Sequence, residues 1–296
     1  MLYPEAASRA GGHHDLAFLL HGRYPEWAIP QDDSLDTLWA NLEAEVSAHP
    51  GDVILSSENF YLYPAPKALA RRMEASEPFR RFRVQVVAYV RPQEATVESW
   101  YNQAVKAQGV SAAFPDFVRD ISPMWDYEQG LAPWAETFGE KNILVRRYNP
   151  ESQKDWDICR DFQELLPAGT VSKDGSGERT NSRLNRDVLE FQRIINRLPL
   201  PIVEKRTFHK QLIALSARSE LGGIFDDSPL MTATERQDIR SLFTPSNTRV
   251  ARRYLGEETL FPPVPEREGE GRTYSGLDPE KIVMIMGWLL LNREKE

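Results

Sequence analysis

Three short apolar runs, each followed by a helical stretch, limit what this 296-residue chain can fold into more than any other feature. The runs fall at 52–57, 84–90 and 142–145, and each has an unbroken centre of Val, Ile, Leu or Ala. Strands that read this way are buried on both faces, as in parallel sheets, whereas a half-wet strand alternates apolar with polar. Parallel strands need long crossovers, and the stretches between the runs have helical spacing. Asp33-Ser34 precedes Leu35, Leu38, Trp39, Leu42 and Val46, a capped helix with one apolar face, and Pro50-Gly51 stops it. Further helical patterns cover 67–75, 92 to about 107 with Pro92 in the first-turn position it favours, 126–138 and 154–165.

Beyond Pro167 the pattern changes. Residues 169–180 are polar and Gly-rich, a loop or lid, and from Asn185 only helical patterns follow, at 188–198, 205–217, 234–243 and 278–292, the last after a Pro/Gly/Glu linker at 262–271. The expected fold is α/β: a parallel sheet with flanking helices and a helical C-terminal half. It forms one domain over 1–296, with the α/β core at about 1–166 and the helical part at about 167–296. No internal repeat is present.

Composition narrows the function. Lys plus Arg is 36 against 44 for Asp plus Glu, a net charge of −8, which argues against charge-driven binding to nucleic acid or to an acidic membrane face. The single cysteine, Cys159, excludes an internal disulfide framework and any multi-cysteine metal or cluster site; it reads as a small apolar filler on a helix. Residues 1–5 carry no signal-peptide pattern. The longest apolar run, 282–291, falls well short of the ~20 residues that cross a bilayer, so it reads as a buried C-terminal helix. A cytoplasmic location is expected, and no membrane partner.

The most informative stretch for chemistry is 86–101. An apolar strand ends in Arg91, and the helix opened by Pro92 follows at once. A guanidinium at a strand's carboxyl end beside a helix N-terminus suits an anion, through bidentate hydrogen bonds and unpaired N–H groups. Ser99, about two turns on, can add a hydroxyl. Spacing alone also accommodates an ordinary strand-end arginine and helix serine.

With Trp100 and Tyr101 after Ser99, this segment resembles the 3'-phosphate-binding element of PAPS-dependent sulfotransferases, a P-loop-related superfamily. More of the chain is similar to a bacterial branch of it: Leu55-Ser56-Ser57-Glu58 upstream; Asp126-Tyr127, Trp134, Phe138-Gly139 and 143–148 downstream; then Asn181-Ser182, Asn196 and 247–256 with Arg252-Arg253-Tyr254-Leu255-Gly256. The resemblance implies transfer of a sulfuryl group from PAPS to a hydroxyl of a carbohydrate or small metabolite, without a metal. It implies that Arg91 and Ser99 hold the donor's 3'-phosphate. Glu58, at the end of the first apolar run, and His14, where this branch often has a histidine, are the two candidates for the acceptor base. Members of the family normally open with a strand and a Lys-x-Gly-Thr-Thr-like loop that holds the 5'-phosphosulfate. This sequence has neither that loop nor a Walker motif. The expectation is therefore of an N-terminally short member, and a non-catalytic or truncated protein that binds nucleotide or glycan stands beside the enzyme. A kinase or glycosyltransferase on a similar sheet would need a Walker lysine or an Asp-x-Asp motif, and neither is present.

Other residues have plainer readings. Gly175-Ser176-Gly177 follows no strand and reads as a flexible loop. His13, beside His14 on a polar segment, reads as solvated, and His49 and His209 as surface. A metal site from His13, His14 and His21 lacks a clear carboxylate. Trp100 and Trp134 read as core, while Trp125 is a possible acceptor platform. Arg71, Arg72, Arg80, Arg81 and Arg83 form a basic cluster, either a solvated face or an attractor of anions.

Overall fold

The computed structural model describes residues 1–119, 123–148, 157–166, 183–218, 223–262 and 274–292. In chain order the elements are α1 (His14–His21), α2 (Leu35–Ser47), α3 (Asn59–Leu62), α4 (Pro66–Ala75), β1 (Val86–Val90), α5 (Gln93–Gln108), α6 (Phe114–Arg119), α7 (Tyr127–Phe138), β2 (Ile143–Arg147), α8 (Ile158–Gln163), α9 (Arg186–Ile195), α10 (Ile202–Lys205), α11 (His209–Ser216), α12 (Ala233–Val250) and α13 (Pro279–Leu291). The protein is mixed α/β, mostly helical, with a parallel sheet of two strands among the described residues. It divides into two compact units, each discontinuous in sequence: Met1–Val90, Pro123–Lys173 and Pro245–Pro262 form one, and Arg91–Ser122, Asp174–Thr244 and Pro263–Glu296 the other.

The first unit holds the sheet. β1 and β2 pair in parallel from Val86 opposite Ile143 to Val90 opposite Arg147, two of the three expected strands. Asp161 on α8 accepts the Tyr89 hydroxyl at 2.6 Å and the Arg146 guanidinium, joining both strands to that helix. The arginine's hydrogen bonds, ahead of the tyrosine's, hold the Asp161 carboxyl below its ordinary range. The core gathers Leu16 and Leu20 of α1, Leu38, Leu42 and Val46 of α2, and Leu131 and Trp134 of α7 around Val90, Ile143 and Val145. Ser34 caps α2 by accepting the Thr37 N–H at 3.1 Å, and Asp126 caps α7 through the Glu128 and Gln129 N–H groups. Gly22, at φ +98°, ends α1 in the left-handed region that glycine enters without steric cost.

The third expected strand, 52–57, does not form. Only Val53 pairs, opposite Leu2: the Leu2 N–H donates to Asp52 O at 2.8 Å and the Ile54 N–H to Leu2 O at 2.9 Å. The next rung of a parallel ladder would need an N–H at position 4, and Pro4 has none. The Ser56 N–H and Pro4 C=O, which would bond to each other on that rung, are bridged instead by the His13 imidazole. Nδ1 accepts from Ser56 N–H at 3.0 Å, and Nε2 lies 3.1 Å from Pro4 O.

The named elements of the second unit among the described residues are all helices. α5 packs on α9, and α13 on α9 and α11. Val97, Tyr101, Val105, Val188, Leu189, Leu212, Leu215, Ile285 and Leu289 are buried there. Asn102 pairs with the Leu184 backbone through both its amide atoms, at 2.9 and 3.1 Å. Asn196 donates to the carbonyls of Val105 and Val110 at 2.8 and 2.9 Å, so it satisfies backbone at the end of α5. The pattern at 205–217 resolves into α10 and α11. The pattern at 234–243 extends to Val250 as α12, through Pro245, whose cost is one lost backbone donor and local crowding. Residues 169–180, most of the 262–271 linker, Asn181-Ser182 and Gly175-Ser176-Gly177 lie outside the described residues.

Candidate functional site

In the first unit, α1 begins where the extended segment 53–57 passes beside it, the His13 N–H donating to Ser56 O at 2.7 Å. The two adjacent histidines then diverge. His13 is 0% exposed, contrary to the solvated reading, because its ring completes the interrupted ladder. The Ser56 N–H can only donate, so Nδ1 carries the lone pair and Nε2–H donates to Pro4. Burial lowers the pKa of His13 and keeps it neutral.

His14 faces outward onto 57–59. Its Nδ1 lies 2.8 Å from Ser57 Oγ, 2.9 Å from Asn59 Nδ2 and 3.7 Å from Glu58 Oε2. The Asn59 backbone N–H donates to Ser57 Oγ at 3.0 Å. The two candidate bases, 44 positions apart in sequence, are thus neighbours. They differ in access: the Glu58 side chain is 68% exposed and that of His14 22%. Gly12 sets the ring's position, since a Cβ there would lie 2.7 Å from His14 Nε2. Sequence reasoning named His14 and Glu58 but passed over Ser57, Asn59 and Gly12. Ser57 stood in a quoted motif; nothing local marks the other two.

Arg91 and Ser99 lie in the second unit. Pro92 precedes the first turn of α5, where Gln93 and Glu94 are buried and Glu94 pairs with Arg240 at 2.7 Å. The Arg91 guanidinium turns onto α5 and donates to the Ala95 carbonyl. In an α-helix that carbonyl also accepts the N–H of the residue four positions on, here Ser99. The guanidinium and Ser99 therefore meet at one helical turn, and Ser99 is exposed.

Several other candidates change character. Trp125 is buried, as is Trp134, so Trp125 presents no open face for an acceptor. The basic cluster is largely engaged: Arg72 pairs with Asp36 at 2.5 Å, Arg80 donates to Glu74 O, and Arg81 donates to the carbonyls of Val46 and His49 at the end of α2. Arg252 and Arg253 pair with Glu258 and Glu140. Cys159 is on a helix, but exposed rather than filling an apolar gap. His209 is half-buried rather than on the surface. Burial, with Lys106 and Arg206 nearby, lowers its pKa to about 4. Among the described residues, no group of three or more His, Cys, Asp or Glu is placed to hold a metal ion, and no helix is long and apolar enough to cross a membrane.

No protein-family model matches the chain, and no solved structure does. The chain is similar to an uncharacterized protein of Archaeoglobus fulgidus, 28% identical over 192 residues, which take in 62% of this chain and 50% of that protein. The chain thus spans about half the length of that relative.

Proposed function

We propose that this chain is a PAPS-dependent sulfotransferase, acting on a hydroxyl of a carbohydrate or small metabolite. The observation that carries the reading is that the Arg91 guanidinium, a fork of N–H donors, reaches the Ala95 carbonyl, four residues before the exposed Ser99: donors of these two kinds along one helix face suit a terminal phosphate. On this reading Arg91 releases Ala95 O and forks the 3'-phosphate. The acceptor oxygen attacks sulfur, the bond from sulfur to the 5'-phosphate oxygen breaks, and that oxygen keeps the electron pair. The acceptor proton goes to a carboxylate or imidazole. Of the two candidates, Glu58 suits the base role, being open to solvent. His14 Nδ1 already faces two partners, Ser57 and Asn59, which leaves it the less available of the two.

Direct binding tests the nucleotide part. Arg91→Ala is expected to weaken adenosine 3',5'-bisphosphate by about 1.5–3 kcal/mol, the range for a charged hydrogen bond, and to leave adenosine 5'-monophosphate unchanged. Equal losses for both nucleotides, or no loss, remove Arg91 from the site. In turnover of PAPS, Glu58→Gln is expected to lower kcat by roughly 10²–10⁴ with donor affinity nearly kept. A second reading is a member that binds nucleotide without turnover. Tight binding of the bisphosphate with no sulfuryl transfer to any hydroxyl acceptor would select it.

A further inference from the structure

We propose that Ser57 is an activated nucleophile, with His14 as its base, and that this pair forms a covalent ester with activated acyl compounds such as aryl esters. The inference does not rest on sulfuryl transfer and needs no nucleotide.

The hydrogen bonds around Ser57 fix where its proton points. Ser57 Oγ accepts from the Asn59 backbone N–H at 3.0 Å, so its own hydrogen is free to point at His14 Nδ1, 2.8 Å away. Asn59 Nδ2, at 2.9 Å, also donates to Nδ1. With two donors facing it, Nδ1 carries the lone pair, and the neutral ring holds its hydrogen on Nε2. A hydroxyl donating to an imidazole lone pair is the ground-state arrangement of a serine nucleophile and its base. Glu58 Oε2, 3.7 Å from Nδ1, lies near enough to stabilise through space the imidazolium that proton transfer creates. Asn59, itself buried, holds one edge of the ring, and space at the other is limited, since a Cβ on Gly12 would lie 2.7 Å from Nε2. Ser57 is only half-buried, so a small ester can reach Oγ.

The step balances without an external oxidant or metal. Ser57 Oγ bonds to the acyl carbon as its proton passes to His14 Nδ1. The carbon–oxygen bond to the aryl group breaks, and the leaving aryloxide takes that proton from His14. Water then attacks the acyl-serine with His14 again as base, releasing the carboxylic acid and restoring Ser57.

The experiment treats the full chain with an excess of a fluorophosphonate probe, which traps activated serines, and reads the adduct by intact mass and peptide mapping. One adduct on Ser57 is expected in the folded protein and none in urea. Ser57→Ala should abolish it. His14→Gln should slow labelling at least 100-fold, as expected for loss of a general base. Gly12→Ala, which pushes a methyl group against Nε2, should slow it while Ser57 remains. No Ser57 adduct in the folded wild type overturns the proposal, even if the variants fail to fold. So does labelling at the same rate in urea, or in a folded His14→Gln variant.

Discussion

The two units bury polar groups in different ways. In the first, the most buried ones are mainly neutral: His13 bridges backbone groups, and Asn59 bonds His14. Asp15, bonded to Arg9 at 2.8 Å, is the charged exception. In the second, charges go inside with partners. Asp187, 0% exposed, accepts from Tyr274 OH at 2.7 Å, Lys281 Nζ at 2.6 Å and the Asp226 N–H at 2.6 Å. Glu94 meets Arg240, and Arg193 meets Glu190 at 2.5 Å. The difference matters for tolerance. Removing one partner from a neutral bridge strands a dipole, whereas removing one from a buried ion pair strands a charge.

The largest test of that contrast is Asp187→Ala. It leaves Lys281, Tyr274 and a backbone N–H without their acceptor. A loss of about 3 kcal/mol is expected, the lower end for a broken buried pair, because Lys281 keeps 20% of its side chain exposed. Urea denaturation reads it, and a loss below about 1 kcal/mol would erase the distinction between the units. His13→Leu is the counterpart in the first unit. It leaves the Ser56 N–H and Pro4 C=O unpaired, and about 2 kcal/mol is expected from the cost of buried unsatisfied groups; a neutral result would mean that 53–57 is held without the bridge.

A smaller effect, and one common to both units, is in pH. Burial lowers the pKa of His13 in the first unit and brings His209 in the second to about 4. In the unfolded chain an imidazole takes up its proton near ~6.5. Between that pH and 4 the unfolded state therefore binds more protons than the folded one. The stability held by a neutral buried ring is complete above ~6.5 and drains as pH falls toward 4. His209→Gln should flatten the fall in Tm between pH 7 and 4.5, leaving the share of His13 and of carboxylates such as Asp161 that are held below their ordinary range. An unchanged slope would place His209 in water.

Much of the local structure was legible from residues a few positions apart. Ser34 and Asp126 cap the helices they precede, Pro92 opens α5, and two apolar runs became β1 and β2. These outcomes depend on cap hydrogen bonds, a fixed proline φ and apolar periodicity, all encoded within about one turn. The run at 52–57 had a similar apolar centre, Val53-Ile54-Leu55, and failed as a strand, because its neighbour carries Pro4 two residues after Leu2. Composition describes a strand's own side chains and says nothing of whether the neighbouring backbone has an N–H to give.

The candidate site divides along the same line. Position at the ends of apolar runs, together with the family resemblance, singled out Glu58 and His14 as candidate bases and Arg91 as a candidate anion ligand. Residue type could not tell His13 from His14, since adjacent imidazoles have the same chemistry until one is enclosed. Nor could it tell that Ser57 Oγ, 43 positions from His14, would lie 2.8 Å from its ring. The sequence by itself determined which residues can cap, turn, pair and carry a proton, because those properties are local and covalent. Tertiary structure alone decided which histidine is buried, which hydroxyl meets an imidazole and which strand finds a partner. Burial and long-range hydrogen bonds belong to pairs of distant segments, and only folding brings those segments together.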